Sequence, residues 1–192
     1  MEFDLFLGLA VGALVSGFVN GFAGFGTALI ASGFWFLVLP AAVVPPLIVI
    51  SAVAGHMVGF FRLSGAMTWG KASWLISGGI AGVPVGAVLL ALVDPGHVKT
   101  ATGVLLLSYA LFQFIRPANW HLNAGPEGFA DRAIGFVSGI MGGFAGLSGP
   151  LPLIWLQLRG FTATQQRERY QPFNFLVLSL SGLAMAAIGR ID

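Results

Sequence analysis

Two glycine-rich segments of this chain carry the residue types best suited to hold a small anion. Residues 20–27 read NGFAGFGT, and residues 143–149 read GFAGLSG. Glycine permits the backbone angles of an unwound stretch, and unwinding leaves backbone N–H groups without helical partners. A helix that starts after such a stretch points the positive end of its dipole into the gap. The pattern predicts an anion site built from backbone donors and a hydroxyl, without arginine or lysine.

The two segments are copies of one motif. Residues 15–29 and 137–151 align without a gap at an offset of 122 residues, with 8 of 15 positions identical. Interruptions at matching points of two hydrophobic halves are typical of secondary-transporter binding sites. We therefore expect both interruptions to supply the substrate-binding residues, which are Asn20, Gly21, Gly24, Gly26, Thr27, Gly143, Gly146, Ser148 and Gly149.

Close helix packing is the alternative use of these glycines. Small residues spaced four apart let two membrane helices approach each other, and such motifs are common. The duplication favours the binding-site interpretation, because the paired interruption is a transporter feature. A dinucleotide-binding loop is excluded, because no β-strand and no downstream acid accompany the Gly-x-x-Gly-x-Gly string.

His56 is a further polar candidate, because it lies in the middle of an uncharged apolar segment. Polar residues inside membranes are candidates for function. A gating or polar-relay role and a structural hydrogen bond between helices both stay open. The three histidines lie in separate segments and the chain has no cysteine, so no metal-ligand spacing exists. Without an acid–base pair in the spans, we expect neither an enzyme nor a cofactor.

The elements that hold these residues must be membrane helices. Hydrophobic residues make up 57% of the 192-residue chain and charged residues 8%, against about 25% in soluble domains. This composition predicts an all-α, polytopic membrane protein. A net charge of +2, from nine basic and seven acidic residues, gives no basis for nucleic-acid binding. The N-terminus lacks a basic n-region, so we expect the first apolar segment to persist in the mature protein.

Two long apolar segments carry the glycine motifs. Residues 5–39 contain no charge, and as one helix they would measure about 52 Å, whereas the hydrocarbon core is about 30 Å thick. The segment must break, and residues 20–26 are the obvious place. Residues 133–158 form the second interrupted segment. Uninterrupted spans are predicted at residues 43–61, 72–93, 98–115 and 170–189, with a basic loop at 159–169.

Two topologies fit the interrupted segments. If each crosses the bilayer once, the nine Lys and Arg residues divide five to four between the two sides, and this distribution does not indicate which side is cytoplasmic. If each is a re-entrant hairpin, they divide seven to two, and the positive-inside rule makes the basic side cytoplasmic. The two halves are then inverted repeats. The seven residues of the basic side are Arg62, Lys71, Arg116, Arg132, Arg159, Arg167 and Arg169, and the other two are Lys99 and Arg190.

The domain organisation follows from this layout. Residues 1–116 form the first repeat, residues 117–132 a polar loop, and residues 133–192 the second repeat. Pro45 and Gly55 recur as Pro172 and Gly182, so the second span matches too. We expect the second repeat to lack its last two helices, which a longer chain or a homo-oligomer would supply.

The pattern resembles the sulfite exporter TauE/SafE family of membrane permeases. The resemblance rests on SGFVNGFAGFGTAL at residues 16–29, on the span with Pro45 and Gly55, and on GFVSGIMGGFAGLSGPLPLIW at residues 135–155. It covers nearly all of the chain. Family members usually complete the second repeat, and this chain departs from them there.

The resemblance implies a multi-pass permease of the cytoplasmic membrane that moves small sulfur-containing or carboxylate anions, such as sulfite or sulfonates. It implies no cofactor and no ATPase domain. We expect alternating access between the two repeats, with the lipid bilayer and a small anion as partners. The alternative function is a non-transporting assembly or scaffold component of a membrane complex, which the incomplete second repeat favours slightly.

Overall fold

A computed structural model describes residues 2–23, 25–63, 69–117, 120–122 and 125–191, without the side chains of residues 2, 23 and 59–63. Within these ranges the chain forms eight α-helices and no β-strand. The helices are α1 Glu2–Ala23, α2 Thr27–Val38, α3 Val44–Leu63, α4 Trp69–Leu92, α5 Pro95–Ile115, α6 Phe129–Ala145, α7 Pro150–Leu158 and α8 Ala163–Ala187.

The helices confirm the all-α membrane class. Three of them are long and apolar enough to cross a bilayer, over Phe3–Phe22, Trp69–Leu92 and Pro95–Ile115. Thr27–Val38 and Val44–Val58 are shorter apolar helices. Large apolar side chains are exposed along them, which is expected of surfaces that contact lipid tails rather than water.

Local sequence determines several helix starts. Pro95 and Pro150 occupy first turns, where the missing N–H is not needed for helical bonding. The Asp94 carboxylate caps α5 by accepting a 2.8 Å hydrogen bond from the Gly96 N–H. At the other end of a helix, Gly146 adopts φ +72° and its N–H donates to the Gly142 carbonyl at 2.8 Å, which ends α6.

Two helices begin earlier than the sequence predicts. The predicted basic loop at 159–169 is wrong beyond residue 162, because α8 starts at Ala163. A capping box explains the start, since the Gln165 Oε1 accepts from the Thr162 N–H at 3.0 Å and the Thr162 hydroxyl accepts from Gln165 N–H. Helix α6 begins at Phe129, inside the predicted polar loop, because the Asp131 carboxylate accepts a 2.8 Å bond from the Gly128 N–H.

Helices α4 and α6 pack through facing glycines. The glycines recur every four residues on each helix, so each set forms one stripe. A Cβ at Gly82 would overlap the Phe136 carbonyl oxygen, and one at Gly139 would overlap the Gly79 carbonyl oxygen. Backbones therefore touch directly, as in small-residue membrane interfaces. The two stripes are Gly78, Gly82 and Gly86 on α4 and Gly135, Gly139 and Gly143 on α6.

Helix α8 joins the remaining helices around this pair. Phe173 and Val177 of α8 pack with Leu75 and Val83 of α4 and with Leu153 of α7 in one buried cluster. A second buried cluster joins α3, α4, α5 and α8. A third joins α2 to the start of α3 around Trp35. The interior between α2, α3, α7 and α8 is therefore surrounded by closely packed side chains.

Polar contacts show the relative orientation of α6 and α7. The Arg159 guanidinium, just after α7, forms a 2.8 Å ion pair with Asp131 in the first turn of α6. The start of α6 and the end of α7 therefore lie at the same end of the molecule. Lys71 at the start of α4 and Glu168 at the start of α8 pair at 2.8 Å, and Arg132 of α6 bonds the Ser77 hydroxyl of α4 at 3.1 Å. We call this end of the bundle the charged end.

The early part of α1 and the end of α2 lie together at the opposite end of the molecule. Trp35 near the end of α2 donates its indole N–H to the Leu9 carbonyl of α1 at 3.3 Å. The Lys99 ammonium, in the second turn of α5, donates to the Phe36 carbonyl at 2.7 Å. Helix α5 starts directly after α4 ends, so this end lies across the molecule from the charged end. Arg190 also lies here, because its guanidinium bonds the Leu90 carbonyl.

Candidate functional site

The start of α2 and the turn between α6 and α7 meet around one small cavity. It has a volume of about 30 Å³, which is room for about two water-sized groups. The first turn of α2 forms one wall and the α6–α7 turn forms another, while α3 and α8 close the sides. The polar and glycine residues of the lining are Gly26, Thr27, His56, Gly146, Ser148, Gly149 and Asn174.

Helix α2 directs its N-terminus into this cavity. Gly26 adopts φ +107°, a left-handed conformation that glycine tolerates. No side chain caps the helix, so the first-turn N–H groups have no partner inside the helix. Thr27, Ala28 and Leu29 of this turn all line the cavity. Backbone donors and the positive dipole end are therefore directed at the same space.

Helix α7 contributes less. Gly149 precedes its first turn and Pro150 opens it, again without a side-chain cap. Prolines at 150 and 152 remove two of the N–H groups that a helix start normally offers. The donors at the cavity therefore come mainly from α2.

A hydrogen bond fixes two polar side chains in the lining. The Ser148 hydroxyl donates to Oδ1 of Asn174 at 3.1 Å, and the two residues are 1% and 2% exposed. The Nδ2 of Asn174 then lies beside Gly149, 3.2 Å from where a Cβ would stand. Because Oδ1 is occupied by the hydroxyl, the amide N–H₂ of Asn174 is the group available as a donor.

Two buried oxygens near the cavity have no partner among the described residues. They are the Thr27 hydroxyl oxygen and Oδ1 of Asn20, on residues that are 6% and 9% exposed. Both side chains approach Gly55 of α3, where a Cβ would stand 2.6 Å from the Asn20 Nδ2 and 4.0 Å from the Thr27 oxygen. Buried polar atoms are rarely left without partners, so each requires an explanation.

The predicted site residues are distributed unequally. Gly26, Thr27, His56, Gly146, Ser148 and Gly149 line the cavity. Asn20 lies behind Thr27, next to Gly55. Gly21 is exposed, with open space beside it, and Gly143 faces α4, where a Cβ would overlap the Val83 carbonyl oxygen. Gly24 lies outside the described residues.

A wider cleft of about 400 Å³ lies between this cavity and the charged end. Exposed Ala163 and Thr164 form its rim, and Gln157, Arg167 and Gln171 add polar groups to its walls. We call this cleft the vestibule. Lys71 forms a hydrogen bond to Glu168 of the vestibule and so lowers the pKa of that carboxyl.

Phe25 separates the vestibule from the cavity, because it lines both. Its ring meets the ring of Tyr170 edge-on, with centroids 6.1 Å apart and an interplanar angle of 79°. Tyr170 is buried and belongs to the cluster around α4, α7 and α8. The Phe25 ring, in contact with Tyr170, therefore lies between the vestibule and the cavity.

A family model described as Sulfite exporter TauE/SafE matches residues 9–192. The chain belongs to this family. No match was found among curated proteins or among solved structures. The family match confirms the resemblance seen in the sequence. The TauE/SafE family is a family of membrane transporters.

The described polar groups of this cavity are few and uncharged. Among the described residues, no group of three or more His, Asp and Glu side chains could hold a metal ion. The described lining contains no Lys, Arg, Asp or Glu. Backbone N–H groups, one amide, two hydroxyls and the His56 imidazole therefore provide the polar contacts that a ligand would find.

Sequence reasoning missed three residues of this region. Asn174 lies in a span whose polar residues were not considered, although an amide two residues after Pro172 in an apolar helix was a usable signal. Phe25 and Tyr170 carry no sequence signal, because their role depends on which helices the fold brings together.

Proposed function

We propose that this TauE/SafE protein is a permease that carries small anions, sulfite or a related sulfur oxyanion, across the cytoplasmic membrane. The observation that carries the proposal is the single cavity shared by the start of α2 and the α6–α7 turn. Two helix N-termini, a buried amide and a hydroxyl oxygen without a described partner converge there, and no described residue of the lining is cationic. This arrangement suits an anion that must bind and leave again.

The proposed framework is an inverted repeat of two re-entrant hairpins. The Asp131–Arg159 ion pair supports a hairpin of α6 and α7 that enters from the charged end. The Trp35–Leu9 contact supports a hairpin of α1 and α2 that enters from the opposite end. On this account α1 corresponds to α6, α2 to α7 and α3 to α8, and alternating access arises from movement of one half against the other.

The charged end is the cytoplasmic side on this account. Lys71, Arg132, Arg159 and Arg169 all lie there in polar contacts, whereas Lys99 and Arg190 lie at the opposite end. Such a bias is typical of cytoplasmic surfaces. The vestibule is then the cytoplasmic entrance, and the Phe25–Tyr170 pair is the gate between it and the cavity.

The topology has a direct test, because the chain has no native cysteine. Single-cysteine variants Ser73→Cys and Thr164→Cys place a thiol at the charged end, and Thr100→Cys places one at the opposite end. In oriented vesicles, an impermeant thiol reagent added on the cytoplasmic face should label the first two only. Labelling of Thr164→Cys from the same face as Thr100→Cys, with Ser73→Cys labelled only from the other face, is what single crossings require and would overturn the hairpin topology.

The transport proposal is tested by sulfite flux in proteoliposomes. The purified chain should accelerate flux over protein-free vesicles, and Gly146→Leu should abolish it. Gly146 adopts φ +72°, and a Cβ there would stand 2.8 Å from Cγ2 of Ile48, so leucine distorts the cavity. Gly103→Leu is the matched control, because Gly103 has nothing within 4 Å of a Cβ.

Two results would contradict the proposal. If the two leucine variants reconstitute equally well and transport equally, the cavity is not the substrate path. If the wild-type chain moves no sulfite, sulfonate or carboxylate, the scaffold alternative takes its place. If Gly146→Leu fails to insert, Ser148→Ala serves as a second test of the cavity, because it removes only one hydroxyl.

A further inference from the structure

We propose that the cavity selects a singly charged oxyanion that carries a proton, such as hydrogen sulfite, over a dianion such as sulfite. The inference rests on the proposed function and names the chemical form of the substrate. It follows from three properties of the cavity, namely its charge, its unpaired acceptors and its volume.

The charge of the cavity matches one negative charge at most. Each helix N-terminus acts as about half an elementary positive charge. Two N-termini border the cavity, and the prolines of α7 remove donors from one of them. No Lys or Arg is present in the described lining. A dianion would leave one charge uncompensated in an apolar interior, which is strongly unfavourable.

The two buried oxygens without a described partner favour a ligand that carries a hydrogen. The Thr27 hydroxyl oxygen lines the cavity, is 6% exposed and has no described partner. Oδ1 of Asn20, on a residue that is 9% exposed and lies behind Thr27, also has no described partner. A fully deprotonated oxyanion can only accept hydrogen bonds, so the Thr27 hydroxyl could pair with it only by donating its own hydrogen, and Oδ1 of Asn20 could not pair with it at all. An anion with an O–H group can donate to the Thr27 oxygen while its other oxygens accept from the α2 N–H groups and from Asn174 Nδ2.

The volume restricts the anion to a few heavy atoms. A cavity of about 30 Å³ compares with about 10–15 Å³ for one water by the same measure. Phe25 and Leu29 bound this space on the α2 side. A sulfonate with an amino-alkyl chain would need both cavity walls to move apart, whereas hydrogen sulfite needs only a small expansion.

The experiment measures initial sulfite flux into proteoliposomes at fixed total sulfite and at several pH values across the pKa of hydrogen sulfite. Flux through protein-free vesicles is subtracted at each pH. The expected flux falls as pH rises, in proportion to the hydrogen sulfite fraction. Flux that is constant or rises with the dianion fraction overturns this inference and leaves the proposed function intact. Absence of flux at every pH overturns the proposed function itself.

Variants separate the substrate's titration from that of the protein. His56 is the sole titratable side chain in the described lining. If the substrate titrates, His56→Gln should show the same pH dependence of flux as the wild type. A flux that no longer depends on pH in this variant would assign the titration to the histidine and contradict the inference. Thr27→Val should lower hydrogen sulfite flux about tenfold, because it removes one hydrogen bond to the ligand. Thr102→Val removes an equally buried, unpaired hydroxyl of α5 and should leave flux unchanged.

Discussion

The Ser148 hydroxyl and the Asn174 amide form a buried 3.1 Å hydrogen bond that ties the α6–α7 turn to the middle of α8. Ser148 comes from one glycine-rich interruption, and Asn174 comes from the last helix of the bundle. The bond occupies Oδ1 of Asn174 and leaves its Nδ2 as a donor next to the cavity. The electrostatic character of the site therefore depends on Asn174 remaining an amide.

Asn174→Asp should strongly reduce anion transport. The aspartate would place a carboxylate against the proposed substrate in an apolar interior, where like charges repel strongly. We expect sulfite flux to fall by at least about tenfold while the protein still inserts. Ser138→Ala is a suitable control, because it removes a fully buried hydroxyl that bonds the Ile134 carbonyl of α6. Equal flux in Asn174→Asp and wild-type proteoliposomes would place the substrate elsewhere.

Phe25→Ala should open the path between the vestibule and the cavity. Removal of the ring leaves the edge of Tyr170 without its partner and joins the two spaces. A thiol introduced by Thr27→Cys should then react faster with a small impermeant reagent added at the charged end. The same thiol in the Phe25→Trp background should react more slowly, and identical rates in all three backgrounds would exclude Phe25 as a gate.

Gly82→Leu should destabilise the bundle. A Cβ at Gly82 would overlap the Phe136 carbonyl oxygen, so α4 and α6 must separate. Forcing extra volume into a packed interface lowers the free energy of unfolding by about 1–3 kcal/mol. Thermal unfolding in detergent measures the effect, with Gly103→Leu as the control in open space. Similar melting temperatures for the two variants would argue against direct backbone contact.

Arg159→Met should also lower the free energy of unfolding. The Arg159 and Asp131 side chains are 8% and 5% exposed, and Asp131 also accepts from the Trp155 indole at 2.9 Å. Removal of one partner from a buried ion pair costs about 3–5 kcal/mol, because the other charge stays buried. Arg132→Met, on an exposed residue that bonds Ser77, should cost less than about 1 kcal/mol. Equal losses would mean that the Asp131 pair is effectively solvated.

The composition and the lengths of the apolar segments were enough to predict a helical membrane protein. An apolar stretch much longer than a bilayer is thick must break, and glycines are where a break is tolerated. This reasoning predicts one interruption at residues 20–26 and another within residues 133–158. It missed the start of α8, because a segment with Arg167, Glu168 and Arg169 looks like a loop. The Thr162–Gln165 capping box was the signal that could have corrected it.

The candidate site was only partly accessible to the same reasoning. Glycines that line a cavity and glycines that pack helices have the same sequence appearance. Gly146 proved to line the cavity, whereas Gly143 continues the stripe of Gly135 and Gly139 against α4. The spacing of four residues was the available clue. Asn174 reaches the cavity only through tertiary packing, which a pattern along the chain does not record.

A double-mutant cycle between Thr27 and Ser148 tests the central claim most directly, since it asks whether both interruptions form one site. The measurement is the KM for sulfite flux of Thr27→Val, Ser148→Ala and the double variant. One shared site predicts that each single variant raises KM and that the two effects are coupled by at least about 0.5 kcal/mol. Independent effects that simply multiply, or an unchanged KM in either single variant, would contradict the account.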